Sequence, residues 1–159
     1  MQHSTSWSPA PVGLAFQWFR GDAPIAGASG ATYTLVAADR GAAIHVVVTG
    51  TKAGFTTAST VSAPTGKVAA GLLASAKPKI KGTAKVGSKL KVTAGKWTPS
   101  TTKLTYRWYR SGKAISGATK ASYTLKKADK GKKITVKVTG KRAGYTTKTV
   151  SSASTKKVR

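Results

Sequence analysis

The part of the sequence that decides the fold is Leu104-Thr105-Tyr106-Arg107-Trp108-Tyr109-Arg110, followed by Tyr123-Thr124-Leu125 and by Ile134-Thr135-Val136-Lys137-Val138. Large apolar residues stand at every second position in each stretch, which is the spacing of a β-strand with one buried face. No stretch of the chain has apolar residues at the helical spacing of three to four. The sequence therefore predicts an all-β chain.

The second half of the chain predicts five or six short strands joined by tight turns. The strands are expected at residues 79–82, 89–94, 104–109, 122–126, 133–139 and 146–152. Turns are indicated by Ser111-Gly112, Asp129-Lys130-Gly131 and Ala143-Gly144. Alternation assigns the following residues to the core: Leu90, Val92, Leu104, Tyr106, Trp108, Tyr123, Leu125, Ile134, Val136 and Val138.

An internal repeat relates the two halves of the chain at a constant shift of 90 residues. Trp18 falls on Trp108 and Asp39 on Asp129, and the register holds through the matching end of each copy. The first copy has no counterpart of residues 78–96. We therefore expect a first repeat at 1–68 truncated at its N-terminus, a linker at 69–77 and a complete Lys-rich repeat at 78–159, with an unpaired sheet edge in the truncated repeat.

Charge separates the two copies and excludes several classes of chemistry. The chain of 159 residues has 28 Lys and Arg against 3 Asp, a net charge of +25, with no Glu, no Cys and two His. Residues 1–68 carry a net charge of +2 and residues 69–159 a net charge of +23. So few acid/base, thiol and metal-binding groups predict a protein that is not an enzyme, with no cofactor and no metal site. The excess of cations predicts an anionic polymer as the partner.

Two motifs carry a resemblance to a known family. Leu104-x-Tyr106-x-Trp108-Tyr109-Arg110 and Tyr123-x-Leu125-x-x-x-Asp129-x-Gly131-x-x-Ile134-x-Val136-x-Val138 resemble an immunoglobulin-like (Ig-like) domain. In that family a strand-C Trp lies in the core and an Asp-x-Gly corner precedes strand F. The matching positions here are Trp108 and Asp129-Lys130-Gly131, while apolar residues such as Val92 and Val136 stand where antibody domains have cysteines.

A narrower likeness concerns bacterial Ig-like repeats. It is carried by Gly-Thr-Ala-Lys-Val-Gly-Ser at 82–88, Gly-Lys-Trp at 95–97 and Tyr-Arg-Trp-Tyr-Arg at 106–110. Such repeats are joined in tandem to secreted and wall-associated proteins of Gram-positive bacteria. The resemblance implies tandem antiparallel Ig-like β-sandwiches in a secreted or cell-wall protein, with any export signal upstream of this sequence, and with upstream domains of a larger parent chain as neighbours.

The basic residues most suited to bind a polyanion lie on two strands that an Ig-like sandwich places side by side. Arg107, Tyr109, Lys133 and Lys137 alternate with the predicted core residues and so share the solvent face, and we count Lys126 and Lys127 with this surface. The alternative is a solvated face that keeps the domain soluble and blocks edge pairing.

Three aromatic residues are candidates for stacking on a sugar ring. Trp7 and Trp97 occupy matching positions beside Ser8-Pro9 and Thr98-Pro99, and Phe19 lies on the predicted outer face of the first copy. The alternatives are an edge-of-core position for the two tryptophans and an isolated exposed apolar residue for Phe19.

The favoured function is non-catalytic attachment of a secreted parent protein to an anionic cell-wall polymer or polysaccharide through the basic second repeat. The alternatives are a passive spacer and a carbohydrate-binding accessory module of a secreted hydrolase. Non-specific nucleic-acid binding ranks lower, since the sequence lacks the motifs that read bases. No apolar stretch is long enough for a membrane span.

Overall fold

A computed structural model of the chain describes residues 7–159. The first six residues of the expected first repeat lie outside the described residues. The chain divides between Ala70 and Gly71 into two compact units. Within residues 7–159 the regular structure consists of strands and two single 3-10 turns, without an α-helix, which confirms the all-β prediction. No helix in this range has the length and apolar character needed to cross a membrane.

Among residues 7–70 the first unit has one four-stranded antiparallel sheet in the order β2-β1-β3-β4. Its strands are β1 (Gly13–Arg20), β2 (Ala23–Pro24), β3 (Ile44–Thr51) and β4 (Ala58–Val61). Trp18 lies opposite Val46 and Phe16 opposite Val48, so these side chains share the inner face of the sheet. A 3-10 turn at Ala37–Asp39 precedes β3.

The second unit contains eleven short strands among the described residues. They are β5 (Gly71–Leu72), β6 (Ala74–Ser75), β7 (Lys79–Lys81), β8 (Lys89–Thr93), β9 (Trp97–Thr98), β10 (Lys103–Arg110), β11 (Lys113–Ala114), β12 (Ser122–Thr124), β13 (Ile134–Lys141), β14 (Tyr145–Thr146) and β15 (Lys148–Ser151). One sheet has the order β11-β10-β13-β15 and a second the order β12-β8-β7. Two-stranded pairs, β14-β5 and β6-β9, complete the unit.

The core of the second unit is sandwich-like, because residues from both sheets pack against one another. Trp108, Ile134 and Val136 of the first sheet and Leu90 of the second are all 0 % exposed and belong to one apolar cluster. Of the ten predicted core residues, seven are buried, while Val92, Leu104 and Tyr106 are partly buried at the edge of the clusters. The alternation in sequence thus identified the inner face correctly.

Among residues 7–70 the structure describes a single sheet, without a second sheet of the same unit against its inner face. Residues 32–34, which match β12, form no strand, whereas β12 pairs with β8 in the second unit. Leu35 is 54 % exposed, whereas its counterpart Leu125 is 2 % exposed. Trp18 is half-buried, whereas Trp108 is fully buried.

The segment expected to be a linker, residues 69–77, contributes two strands to the second unit. β5 pairs in parallel with β14, and β6 pairs antiparallel with β9. Leu73 between them is 3 % exposed and packs with Trp97 and Val138. Two-residue strands are too short to show alternation, so their pairing depends on contacts distant in sequence.

Candidate functional site

The outer surface of β10 and β13, which we call the β10–β13 basic face, carries two pairs of like charges. Arg107 lies directly opposite Lys137, and Lys103 lies directly opposite Lys141. All four side chains are exposed. Residues opposite each other on antiparallel strands have Cβ atoms about 4.5–5.5 Å apart, so each pair repels and destabilises the sheet. The Lys103–Lys141 pair was not among the predicted site residues. The alternation of core and solvent-facing residues along each strand nevertheless assigns both lysines to the outer face.

Tyr109 completes this face by contacting one of the cations. The ammonium nitrogen of Lys137 lies 4.8 Å from the centre of the Tyr109 ring. The attraction between the cation and the π electrons holds the lysine over the ring. Tyr109 lies directly opposite Thr135, so its neighbour across the strand pair carries no charge. The predicted grouping of Arg107, Tyr109 and Lys137 is therefore present.

The remaining predicted basic residues lie outside the paired part of this face. Lys133 immediately precedes β13, where its carbonyl accepts a hydrogen bond from the Ser111 N–H at 2.9 Å. Lys126 and Lys127 lie at the 3-10 turn Lys127–Asp129, which follows β12 of the other sheet. Both are exposed, but β10 and β13 do not position them. They lie at the corner that holds Asp129 and are not part of the β10–β13 basic face.

A second basic surface, the β7–β8 basic face, was missed by the sequence prediction. It consists of Lys79, Lys81, Lys89 and Lys91, all exposed, while Ile80, Leu90 and Val92 pack toward the core. Lys81 lies directly opposite Lys91, which makes a third like-charge pair. The alternation Lys-Ile-Lys and Lys-Leu-Lys-Val was the available signal, since each lysine is next to a core residue.

The only acidic residue of the second unit does not neutralise either face. Asp129 is fully buried, accepting hydrogen bonds from Arg110 Nε at 2.6 Å, from the Tyr123 hydroxyl at 2.8 Å and from the Lys126 N–H at 2.7 Å. Burial alone would raise the pKa of Asp129, but these hydrogen bonds outweigh it and hold the pKa below its ordinary value. The lysines of both faces therefore have no carboxylate partner within residues 71–159.

The same corner occurs in the first unit, where Arg20 and Tyr33 hold Asp39. Asp39 and Asp129 also accept hydrogen bonds from the N–H groups of Val36 and Lys126 in their own turns. The arginine and tyrosine partners were not predicted. The repeat of Arg and Tyr at a 90-residue shift was the signal for them.

The first unit has neutral residues where β10 and β13 of the second unit have their two like-charge pairs. Gln17 lies opposite Val47 at the level of Arg107 and Lys137. Gly13 lies opposite Thr51 at the level of Lys103 and Lys141. The same sheet is thus formed without the charges, so folding does not require them.

The three aromatic candidates for sugar stacking are already engaged within the protein. Trp97 is 6 % exposed and packs against Gly140, so its ring has no open face. Trp7 is half-buried against Gly50, where a side chain larger than hydrogen would collide with the indole. Phe19 stacks on His45 with ring centres 5.0 Å apart and planes inclined by 5°. These contacts favour a packing role for all three.

Neither the protein-family models nor the curated proteins with which the sequence was compared gave a match. The function is therefore argued from the geometry and charge of the two basic faces.

Proposed function

We propose that the chain is a non-catalytic attachment module whose second unit binds anionic polymers of a bacterial cell envelope. The proposal rests on the like-charge pairs: Arg107–Lys137, Lys103–Lys141 and Lys81–Lys91. Each costs stability in the free protein, and a bound polyanion offsets that cost by placing negative charge between the two cations. Solubility alone requires a net charge of only about 2–8 for a small domain, far below that of this unit.

We further infer that the two units are tandem Ig-like repeats of a secreted or wall-associated protein. Support comes from the 90-residue repeat, from the packing of Trp108 on Tyr123 with ring centres 5.8 Å apart, and from the Asp129 corner before β13. This placement would supply the expected ligand, because the cell walls of Gram-positive bacteria contain anionic polymers.

Binding should depend on release of the counterions that surround the polymer. The affinity should fall log-linearly with salt concentration, because each Lys or Arg that neutralises one anionic group releases about one counterion. Little selectivity among polymers of similar charge density is expected, since extended lysines form point contacts without directional readout.

The test is co-sedimentation of the intact chain with Gram-positive cell walls, before and after extraction of teichoic acid, across a salt series. Salt-sensitive binding that extraction abolishes is the expected result. Absence of binding at low salt would overturn the proposal and leave a spacer whose charge serves solubility.

A matched pair of variants locates the site. Arg107→Gln with Lys137→Val installs the residues of the first unit, and should lower the slope of log affinity against log salt by about 2. Lys126→Val with Lys127→Ala removes the same charge at the corner and also installs first-unit residues. An equal loss in both variants would show that net charge, and not the β10–β13 basic face, determines binding.

A further inference from the structure

Strand β7 of the second unit is an edge of the sheet β12-β8-β7, and a groove lies along its free side. The groove has a volume of about 590 Å³, which is within the range of small-ligand sites. Its opposite wall is the C-terminal segment 153–156, which follows β15. We call this space the β7 edge groove. The apolar part of its lining consists of Pro78, Ile80, Ala84 and Ala153.

Ile80 directs both of its backbone hydrogen-bonding groups into the β7 edge groove. Val92 of β8 donates its N–H to the Ala121 carbonyl, on the side of β8 that faces β12. Because successive residues of a strand direct their backbone groups to opposite sides, the residues next to Val92 bond with β7. Those two residues lie opposite Lys79 and Lys81, so the N–H and C=O of Ile80 point away from β8. Neither group has a hydrogen-bond partner within residues 7–159.

Cations line the β7 edge groove on both sides. Lys77 and Lys79 lie on the β7 side and Lys156 on the side of the C-terminal segment, and all three side chains are exposed. Asp129 is the only acidic residue within residues 71–159 and is buried in its own corner, so no carboxylate there neutralises the groove. The counterpart of Lys156 in the first unit is Gly66. The charge of the groove therefore favours an acidic ligand.

We propose that the β7 edge groove binds an extended acidic peptide that adds to β7 as an antiparallel strand. The peptide residue opposite Ile80 exchanges two hydrogen bonds with the free N–H and C=O groups, which is the geometry of β-augmentation. Residues opposite Lys79 and Lys81 share the face of those lysines, so acidic side chains at these two positions form favourable cross-strand pairs. The residue between them faces the apolar lining, on the side where Ile80 packs toward the core. The recognised pattern is therefore acidic, apolar, acidic.

An anionic polymer without amide groups accounts for less of this groove. Its anionic groups can neutralise the lysines and accept from the Ile80 N–H, but a phosphodiester chain has no donor for the Ile80 carbonyl. A peptide strand provides the donor, the acceptor, the carboxylates and the apolar side chain at a spacing of about 3.3 Å per residue. Lys79 and Lys81 also belong to the β7–β8 basic face, but the chemistry recognised at the groove is different from the polyanion binding proposed above.

The experiment is an NMR titration of the isotope-labelled full chain with the peptide Gly-Glu-Val-Glu-Gly, blocked at both ends. The expected result is a saturable shift of the Ile80 amide proton to lower field at millimolar peptide, because its N–H gains an acceptor. Two control peptides keep the same charge. The order Gly-Glu-Glu-Val-Gly breaks the alternation and should bind more weakly. An N-methyl group on the Val of the first peptide removes the donor for the Ile80 carbonyl and should weaken binding at least about tenfold.

A matched pair of protein variants locates the peptide. Ala153→Phe fills the β7 edge groove from the wall opposite β7 without changing the charge, and the exposed position makes the change compatible with folding. It should abolish the shift at Ile80 and leave co-sedimentation with cell walls unchanged. Ala121→Phe adds the same side chain at an exposed residue next to β12, the opposite edge of the same sheet, and should leave peptide binding unchanged.

Three outcomes would overturn the proposal. One is absence of a shift at Ile80 at millimolar peptide, and another is unchanged peptide binding to the Ala153→Phe variant. The third is equal affinity for the N-methylated peptide, which would show that charge alone attracts the peptide and would assign the groove to the polyanion-binding surface. None of these outcomes depends on whether the chain binds cell walls, so the two proposals can fail independently.

Discussion

Leu125 and Leu35 occupy the same place in two copies of one sequence pattern, yet they are 2 % and 54 % exposed. The two units share the paired strands β10–β13 and β1–β3, a contact between a Trp ring and a Tyr ring, and the buried Asp corner. Among the described residues they differ in the second sheet, formed by β7, β8 and β12, which occurs only in the second unit. One sheet is therefore enough to form the Asp corner and to fix the strand register. A core that excludes solvent requires the second sheet.

The largest expected effect comes from disrupting the β7–β8 hairpin, which packs on the inner face of the β10–β13 sheet in the second unit. Leu90→Lys places a charge at a position that is 0 % exposed and should destabilise this unit by about 4 kcal/mol or more. Hydrogen exchange of β10 and β13 should then approach that of β1 and β3. If the amides of β10 and β13 remained as protected as in the parent protein, the hairpin would not be what stabilises the sheet.

A smaller effect is expected from truncating the compared leucines themselves. Leu125→Ala should cost about 2–5 kcal/mol, because it leaves a cavity in a closed core. Leu35→Ala should cost less than about 1 kcal/mol, since the side chain is already half in solvent. Chemical denaturation, with hydrogen exchange followed separately in each unit, measures the loss of unfolding free energy in both variants. Equal losses would contradict a solvent-exposed inner face in the first unit.

The next effect concerns the corner that the units share. Asp129→Asn should destabilise the second unit by about 1–3 kcal/mol, because Arg110 and Tyr123 lose a charged acceptor. Asp39→Asn should cost less, since Tyr33 is only half-buried.

The same two aspartates, Asp39 and Asp129, should make the stability of the protein fall at acidic pH. The pKa of each is held below its ordinary value, so their contribution is present above about pH 4 and is lost as the pH falls through the folded-state pKa. Thermal unfolding between pH 7 and 2 should show this loss in the parent. The Asp129→Asn variant should show a smaller pH dependence, and an unchanged profile would mean that the carboxylate does not stabilise the fold.

The smallest effect is a gain. Arg107→Gln with Lys137→Val should raise the stability of the second unit by up to about 1 kcal/mol at low salt, because it removes a directly opposed like-charge pair. The gain should disappear at high salt, where the repulsion is screened. A loss of stability at low salt would indicate that contacts of the two side chains, such as Lys137 on Tyr109, outweigh their repulsion.

Much of the fold follows from the local pattern. Alternation at Leu104–Trp108 and at Ile134–Val138 identified two central strands and their buried faces. The short strands β5 and β6 could not be predicted, because two residues have no period and their partners lie far along the chain. The arginine and tyrosine that hold Asp129 were missed for a related reason, since they meet it only in the folded corner.

For the candidate site, the alternation of inward and outward residues along each strand correctly grouped Arg107, Tyr109 and Lys137 on one face. Lys126 and Lys127 were counted with this face although consecutive residues point to opposite sides of a strand, and the structure places both at the 3-10 turn that follows β12. The sequence also does not show which lysines are directly opposite each other, since register is a property of the paired strands.

The second unit carries basic surfaces on the outer sides of two different sheets. Under the proposed function this makes one small unit bivalent. A polymer strand held by one sheet leaves the other sheet free to hold a neighbouring strand, so the unit would act as a cross-link within the polymer network. Release from one strand would then be followed by rebinding at the high local concentration of its neighbours, giving retention longer than either surface provides alone.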